Sequence, residues 1–348
     1  MAPSGAQGLD AGGAQALAAL LAEGESPHTI SSYQAALRYW EAWVQLRYRQ
    51  ALALPLPAAV VLQFVVDHVQ HRAEAGLQQA LPPEIDQALV ASGAKGKPGP
   101  LALSTVIHRL AVLSKLHQVR QLPNPCQDAE VRHAITMARK AYARRGERAQ
   151  KKAALTRAPL ELLLDTCDNS LAGKRDRALL LFAWASGGRR RSEVAGATLE
   201  QLHAIAPGQY LYELSHSKTN QTGRDLPENR KPIVGVAGRA LADWLATSGI
   251  AAGPLFRRIY RNGRVGSEAL TPVSVSAIVK QRCALAGVEG DFSAHSLRSG
   301  FVTEAGRQSM PLADTMALTG HRSVQSVLGY FRAESPLHNP AGKLLESD

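Results

Sequence analysis

The 348-residue sequence is short of cysteine, with three, and of aromatic residues, at 5%. Cys126, Cys167 and Cys283 are isolated, odd in number and without CxxC spacing, which argues against both a disulfide framework and a cysteine-based zinc site. The eleven histidines form no HExxH motif and no Cys/His cluster at ligand spacing, so no metal is expected. No apolar run is long enough to span a bilayer, which argues against a membrane-embedded function. The N-terminus also has neither the basic start nor the long apolar stretch of a secretory signal, and the expected location is cytoplasmic.

Acidic residues are in deficit too: 29 stand against 40 lysines and arginines, giving a net charge of +11. The positive charge is spread along the chain rather than gathered in a tail, which predicts a polyanionic partner, with nucleic acid the best fit. The length allows two domains, each able to bury its own core.

Residues 1–24 are rich in alanine, glycine and small polar residues and read as a flexible arm with at most a short helix near Ala14–Leu21. An all-helical domain is expected over 25–143. Its first helix, about Thr29 to Gln50, follows the cap-like Ser26-Pro27 and carries Arg38, Arg47 and Arg49 off its apolar face. A second helix is expected from Pro57 to Gly76, then a Pro/Gly-rich loop or insertion from Leu81 to Pro100. Ser104 should cap a third helix, with Arg109 and Lys115 away from its Leu110, Leu113 and Leu116 stripe; a fourth spans Ala129–Tyr142. The basic linker 144–154, with Arg144, Arg145, Lys151 and Lys152, is either a solvated tether or a strap along phosphates, and the second reading is favoured.

The second domain, 155–348, opens with a helix over Pro159–Cys167 and a very apolar one over Asp176–Ser186. The latter delivers the chain to Gly187-Gly188-Arg189-Arg190-Arg191-Ser192-Glu193-Val194. Successive helical positions differ by about 100°, so the three adjacent arginines cannot all face one site. Strands follow at Leu199–Ile205, Gln209–His216 and Arg224–Val234, the last two joined by a hairpin loop with Lys218 at its mouth. After a helix over Gly238–Ser248, Arg257, Arg258 and Arg261 alternate with aromatic residues in a segment suited to base or phosphate contact. Another helix is expected at Val273–Ala286.

The most informative stretch is His295–Tyr330. His295 and Arg298 lie three apart on a helix and can aim at one small anion. Gly320 stops one helical pattern and His321 follows it. A second pattern, Ser323–Arg332, has its apolar stripe at Val324, Val327, Leu328 and Phe331. Tyr330 falls outside that stripe, about 110° from its centre, and is predicted to direct its hydroxyl away from the core.

His295-x-x-Arg298, Gly320-His321 and then Tyr330 resemble the C-terminal signature of the tyrosine recombinases, or phage integrase family. The segments GERAQKKAAL, PLFRRIYRNG and AGKLLESD are similar to Cre-like members. The resemblance runs from about Ser26 onward and departs from those members at the Leu81–Pro100 stretch. It implies a mainly α protein with a small antiparallel β-sheet (α+β), in which a SAM-like core-binding domain and a catalytic domain form a C-shaped clamp on DNA. The implied activity is site-specific recombination through a 3′-phosphotyrosyl intermediate, serving integration, excision or resolution, with no cofactor.

By the same resemblance Tyr330 is the nucleophile, Arg190, Arg298, His295 and His321 surround the phosphate, and Lys218 is the general acid. Glu193 would orient Arg190, and Arg189 stands where the family usually has an apolar residue. The tail 333–348 would dock on a neighbouring protomer to build a homotetramer on DNA. A type IB topoisomerase is the first rival, opposed by the Cre-like tail and the spacing. A non-catalytic DNA-binding regulator is the second, opposed by the filling of all six catalytic positions.

Overall fold

The computed structural model describes residues 26–74, 76–147, 152–214 and 229–331. The chain divides into two compact units, Met1–Ala149 and Gln150–Asp348.

In the first unit, α1 (Pro27–Tyr48) starts as its sequence predicts: Ser26 Oγ accepts from the Thr29 N–H at 3.1 Å, and proline fills the first helical position. Its buried face is aromatic. Tyr39, Trp40 and Trp43 have no exposed surface, and Trp40 stacks on Phe64 of α2 (Ala58–His68) with ring centroids 3.8 Å apart. The helix expected over Pro57–Gly76 therefore stops early. After His68 the chain turns into a short antiparallel hairpin, β1 (His71–Ala73) with β2 (Gly76–Gln78), so this unit is not all helical. Three-residue strands are too short to show alternation, and the turn depends on Gly76 at φ 109°.

A second correction concerns Leu81–Pro100, which holds a helix, α3 (Pro83–Ala91), followed by a pinned loop. Lys95 is buried, and its ammonium contacts the Asp86 carboxylate and the Gly99 carbonyl; the Gly99 N–H donates to Asp86 Oδ2 at 2.7 Å. An acid on α3 thus orders a segment whose composition suggests looseness. Two further helices complete the unit. For α4 (Leu103–Val119) the N-cap is Ala102 rather than Ser104. The Asp128 side chain caps α5 (Ala129–Arg144) through the Glu130 and Val131 N–H groups.

His68 sits inside this core. Its Nδ1 donates to the Phe64 carbonyl at 2.7 Å, which leaves Nε2 to accept from the Tyr39 hydroxyl at 2.6 Å. Burial is the main cause that lowers its pKa to about 4, with the Phe64 bond opposing and the Arg109 and Lys95 charges assisting. Between that value and the ordinary one the unfolded chain binds a proton that the folded chain does not. Stability is therefore intact above about pH 6.5 and falls as the pH drops toward 4, by about 2 kcal/mol between pH 7 and pH 5. Denaturant unfolding at the two pH values should show this fall in the wild type and lose that increment in His68→Leu; an identical fall in both would overturn it.

The second unit is built on α6 (Arg157–Asp165) and α7 (Leu171–Ala185); the Ala178–Ala183 segment of α7 is wholly buried, and α7 packs on α9 (Gly235–Ser248) and α11 (Ala294–Arg307). Between α7 and α9 come α8 (Arg191–Ala195) and a three-stranded antiparallel sheet in the order β3 (Leu202–Ala206), β4 (Gln209–Glu213), β5 (Arg230–Ile233). The first strand starts later than its sequence suggests because Leu199–Gln201 forms a 3₁₀ turn. The basic segment after α9 contains a hairpin not foreseen in the sequence, β6 (Arg257–Ile259) with β7 (Val265–Ala269); four arginines between 257 and 264 interrupt any apolar alternation and hide its strand character. Next is α10 (Pro272–Leu285), whose buried Arg282 holds Asp176 of α7 through Nε and Nη2 at 3.0 and 2.7 Å. The unit closes with α11, α12 (Leu312–Thr319) and α13 (Val324–Phe331). Residues 1–25, 148–151, 215–228 and 332–348 lie outside the described residues, and with them the expected arm, Lys151, Lys218 and the expected docking tail.

Candidate active site

The site is assembled around a glycine turn. Where α7 ends, Gly187 (φ 91°) and Gly188 (φ 68°) take left-handed conformations. A Cβ on Gly187 would lie 2.5 Å from the Leu318 carbonyl oxygen of α12, and one on Gly188 would lie 2.2 Å from Arg298 Cα of α11. Two glycines are needed both for the turn and for the approach of two helices to it.

The three arginines that follow diverge, though not by the helical phase expected of them: Arg189 and Arg190 precede α8, Arg190 in extended backbone, and only Arg191 is helical. Arg189 is buried, and its Nη2 donates to the Leu318 and Thr319 carbonyls at 2.8 and 3.0 Å. Arg190, at the N-cap of α8, is partly exposed; its Nη1 pairs with Glu193 Oε1 at 2.6 Å, and its N–H donates to Oε2 at 3.1 Å. Arg191 is exposed, with Nη1 at 3.5 Å from Ser276 Oγ. Burial opposes ionisation of Glu193, but the charges of Arg189 and Arg190 prevail and hold its carboxyl below the usual range.

The start of α11 is fixed by Ser293, whose Oγ accepts from the His295 N–H at 3.2 Å. One turn on, Arg298 is buried and donates from Nη1 to the Gly188 carbonyl at 3.2 Å, which ties α11 to the glycine turn. His321 follows the left-handed C-cap Gly320 of α12, and its Nδ1 lies 2.7 Å from Thr319 Oγ1. That hydroxyl donates to the Thr315 carbonyl at 2.7 Å, so Nδ1–H is the donor to it and the neutral ring carries its proton there.

These groups lie close enough for their charges to act on one another. Desolvation, then the charges of Arg298, Arg190 and Arg189, lower the pKa of His321 to about 4; desolvation, Arg298 and Arg190 also lower that of His295. Two imidazoles and two arginine forks that repel one another's protons form a concentrated positive site suited to an anion. The backbone of Tyr330 lies in the last turn of α13, which packs on α11 through the fully buried Val327. Val324 is 47% exposed, so the core stripe of this helix is narrower than its sequence suggests.

Candidate DNA-contacting residues fall into two groups. Arg38, Lys115, Arg144, Arg258 and Arg261 are exposed. The others have internal partners. Arg47 pairs with Asp67 at 3.3 Å, and the Arg109 guanidinium lies 3.2 Å from the centre of the Tyr39 ring. Arg145 binds Glu147 at 2.6 Å, Lys152 contacts Asp291, and Arg257 donates to the Pro254 carbonyl at 2.9 Å. Sequence reasoning missed Lys231 of β5, which is buried and donates to the Ala317 carbonyl at 2.7 Å; a lysine in a short strand carries no signal that separates it from a solvated one.

Residues 153–336, more than half of the chain, match the model of the phage integrase family. The chain belongs to that family. It is a tyrosine recombinase, an enzyme that breaks and rejoins DNA strands. This recombinase is similar to an integrase/recombinase xerD homolog of Selenomonas ruminantium, 33% identical over 236 residues that cover 65% of this chain and 67% of the relative. Its fold is shared with the XerH site-specific recombinase bound to a palindromic difH substrate (TM-score 0.56, 15% identity, 92% of this chain and 80% of that one). It is shared also with a lambda integrase dimer bound to a COC′ core site (TM-score 0.52, 14% identity, 91% and 93% covered). Among the described residues no helix is long and apolar enough to cross a membrane, and no group of His, Cys, Asp or Glu is arranged to hold a metal.

Proposed function

We propose that this recombinase acts on duplex DNA containing a specific site, with Tyr330 as nucleophile. The observation that carries the reading is the convergence of Arg190, Arg298, His295 and His321 on one positive site beside the helix that bears Tyr330. In the reaction the Tyr330 oxygen attacks the scissile phosphorus and loses its proton. A P–O bond to tyrosine forms, and the bond to the 5′ oxygen breaks, leaving a 3′-phosphotyrosyl link and a 5′-hydroxyl. Arg190, held by Glu193, and Arg298 hold the non-bridging oxygens as charge gathers on them. His295 accepts the phenol proton or hydrogen-bonds the phosphate. Lys218 protonates the leaving oxygen. Attack by a partner strand's 5′-hydroxyl reverses the step and restores the tyrosine.

His321 has its Nδ1–H committed to Thr319, so it donates to a phosphate from Nε2 only as an imidazolium. The bound anion supplies the compensating charge, and site binding takes up a proton. Residues 25–143 and the basic linker would hold the duplex through phosphate contacts. The tail 333–348, by docking on the next protomer, would assemble four active sites in a cytoplasmic homotetramer on DNA.

The test uses nicked duplexes enriched for binding from a random-sequence pool, in which the cleaved fragment is too short to remain paired. With excess EDTA, the recombinase should accumulate a detergent-resistant adduct whose DNA-linked peptide maps to residues 323–332. An adduct on another peptide, or one that forms only when magnesium is restored, would overturn this assignment.

A further inference from the structure

The last turn of a helix presents carbonyl oxygens that no residue of that helix can satisfy, and this end carries partial negative charge. In α12 those carbonyls belong to the residues directly before Gly320 and His321. Two buried cations from two other elements reach them: Lys231 of β5 donates to Ala317 O, and Arg189 of the glycine turn donates to Leu318 O and Thr319 O. Each side chain belongs to a residue only 2% exposed, a costly place for a charge unless its hydrogen bonds are made. Solvation of a surface is thereby excluded as their role.

The two cations also connect the parts of the site. Arg189 Nη1 lies 3.6 Å from Glu193 Oε2, and the same carboxylate grips Arg190 through its other oxygen. At the far end, Thr319 gives its carbonyl to Arg189 while its hydroxyl holds His321 Nδ1. One guanidinium therefore stands between the side chain that positions Arg190 and the residue that positions His321. Lys231 joins the same turn to the strand that follows residues 215–228, the segment containing Lys218.

We propose that Arg189 and Lys231 are positioning residues, a pair of buried cations that clamp the end of α12 and set the His321 imidazole relative to Arg190 and strand β5. Neither touches the reacting atoms. The catalytic consequence rests on the reading of His321 as a phosphate ligand; the placement of the ring does not.

The experiment has one arm for each. In the DNA-free full-length protein, nitrogen-detected NMR of the histidine rings, assigned with His321→Ala, reports the His321 tautomer and its titration. Arg298, Arg190, Arg189 and His295 all bear on that ring. Arg189→Leu and Lys231→Met should shift its resonances and weaken the Nδ1–H tautomer, and Arg189→Lys should partly restore both. Thr319→Val, which leaves the clamp intact, should reproduce the tautomer change and so calibrates it, and Lys231→Met keeps the test open if Arg189→Leu does not fold.

The second arm measures cleavage of the nicked substrate. Arg189→Leu should slow it by roughly 10–100-fold, the range expected for a displaced group, while site affinity stays within about threefold. In a His321→Ala background the same substitution should cost less than about threefold. A His321 ring unmoved in Arg189→Leu and Lys231→Met, or an undiminished penalty in the His321→Ala background, would overturn the proposal. If His321→Ala itself cleaves at the wild-type rate, the catalytic reading of His321 fails, and the NMR arm alone judges the clamp.

Discussion

Tyr330→Phe should bind the recombination site as the wild type does and yield no covalent adduct and no strand exchange. The substitution removes one oxygen. Phenylalanine and tyrosine have similar helix propensities, so α13 (Val324–Phe331) and the Val327 contact that seats it should persist. The groups that would hold the phosphate, Arg190, Arg298, His295 and His321, come from the glycine turn, α11 and the residue after α12, so a missing hydroxyl leaves them in place. Affinity, distributed over many phosphates, should change by less than about twofold. Cleavage should fall by at least roughly 10⁴-fold, because removal of a nucleophile closes the covalent route rather than slowing it. Gel-shift titration and denaturing electrophoresis of the nicked substrate measure the two separately. An adduct that persists would move the nucleophile elsewhere, and a parallel loss of binding would make Tyr330 a structural residue.

Much of this architecture can be read from local sequence, and the exceptions share a cause. α1 is legible because Ser26-Pro27 and the buried aromatics of one face are local signals. α7 is legible because its apolar run has no other place to go than a core. The β1–β2 hairpin and the pinned loop at Lys95 are not. Their strands are too short for periodicity, and the loop is fixed by a single buried acid, Asp86, thirteen residues before Gly99 in the chain.

The site divides in the same way. Helical phase says that Arg189, Arg190 and Arg191 point apart, and they do, but by way of the extended backbone that leads into α8, since only Arg191 is helical. It cannot say that Arg189 has a destination, because the carbonyls it binds are about 130 residues downstream. His295 and Arg298 are found by spacing, whereas Lys231 is invisible until the strand and helix are seen together. Contacts distant in sequence that join single polar groups leave no pattern, while those that join apolar faces do.

Arg298→Lys should separate catalysis from binding at the other end of the site. Arg298 is 3% exposed, and one guanidinium nitrogen is committed to the Gly188 carbonyl at 3.2 Å, so its position is set by the same turn that presents Arg190. In the proposed mechanism the planar fork meets a phosphate oxygen with fixed geometry. A lysine ammonium preserves the charge but offers no fork, and its shorter stem cannot serve both Gly188 and the phosphate. What is lost is preorganised stabilisation of charge that develops during attack on phosphorus. Loss of one such group costs about 10²–10³-fold in rate. Ground-state affinity should fall no more than about threefold, because the charge remains and the other phosphate contacts are untouched. Single-turnover cleavage at saturating protein, set beside equilibrium binding to the same duplex, gives both numbers. A rate loss below tenfold would show that Arg298 only supports the Gly188 turn. If affinity and rate fell by equal factors, the guanidinium would be binding the ground state and the transition state alike, and it would lose its proposed place in the chemistry.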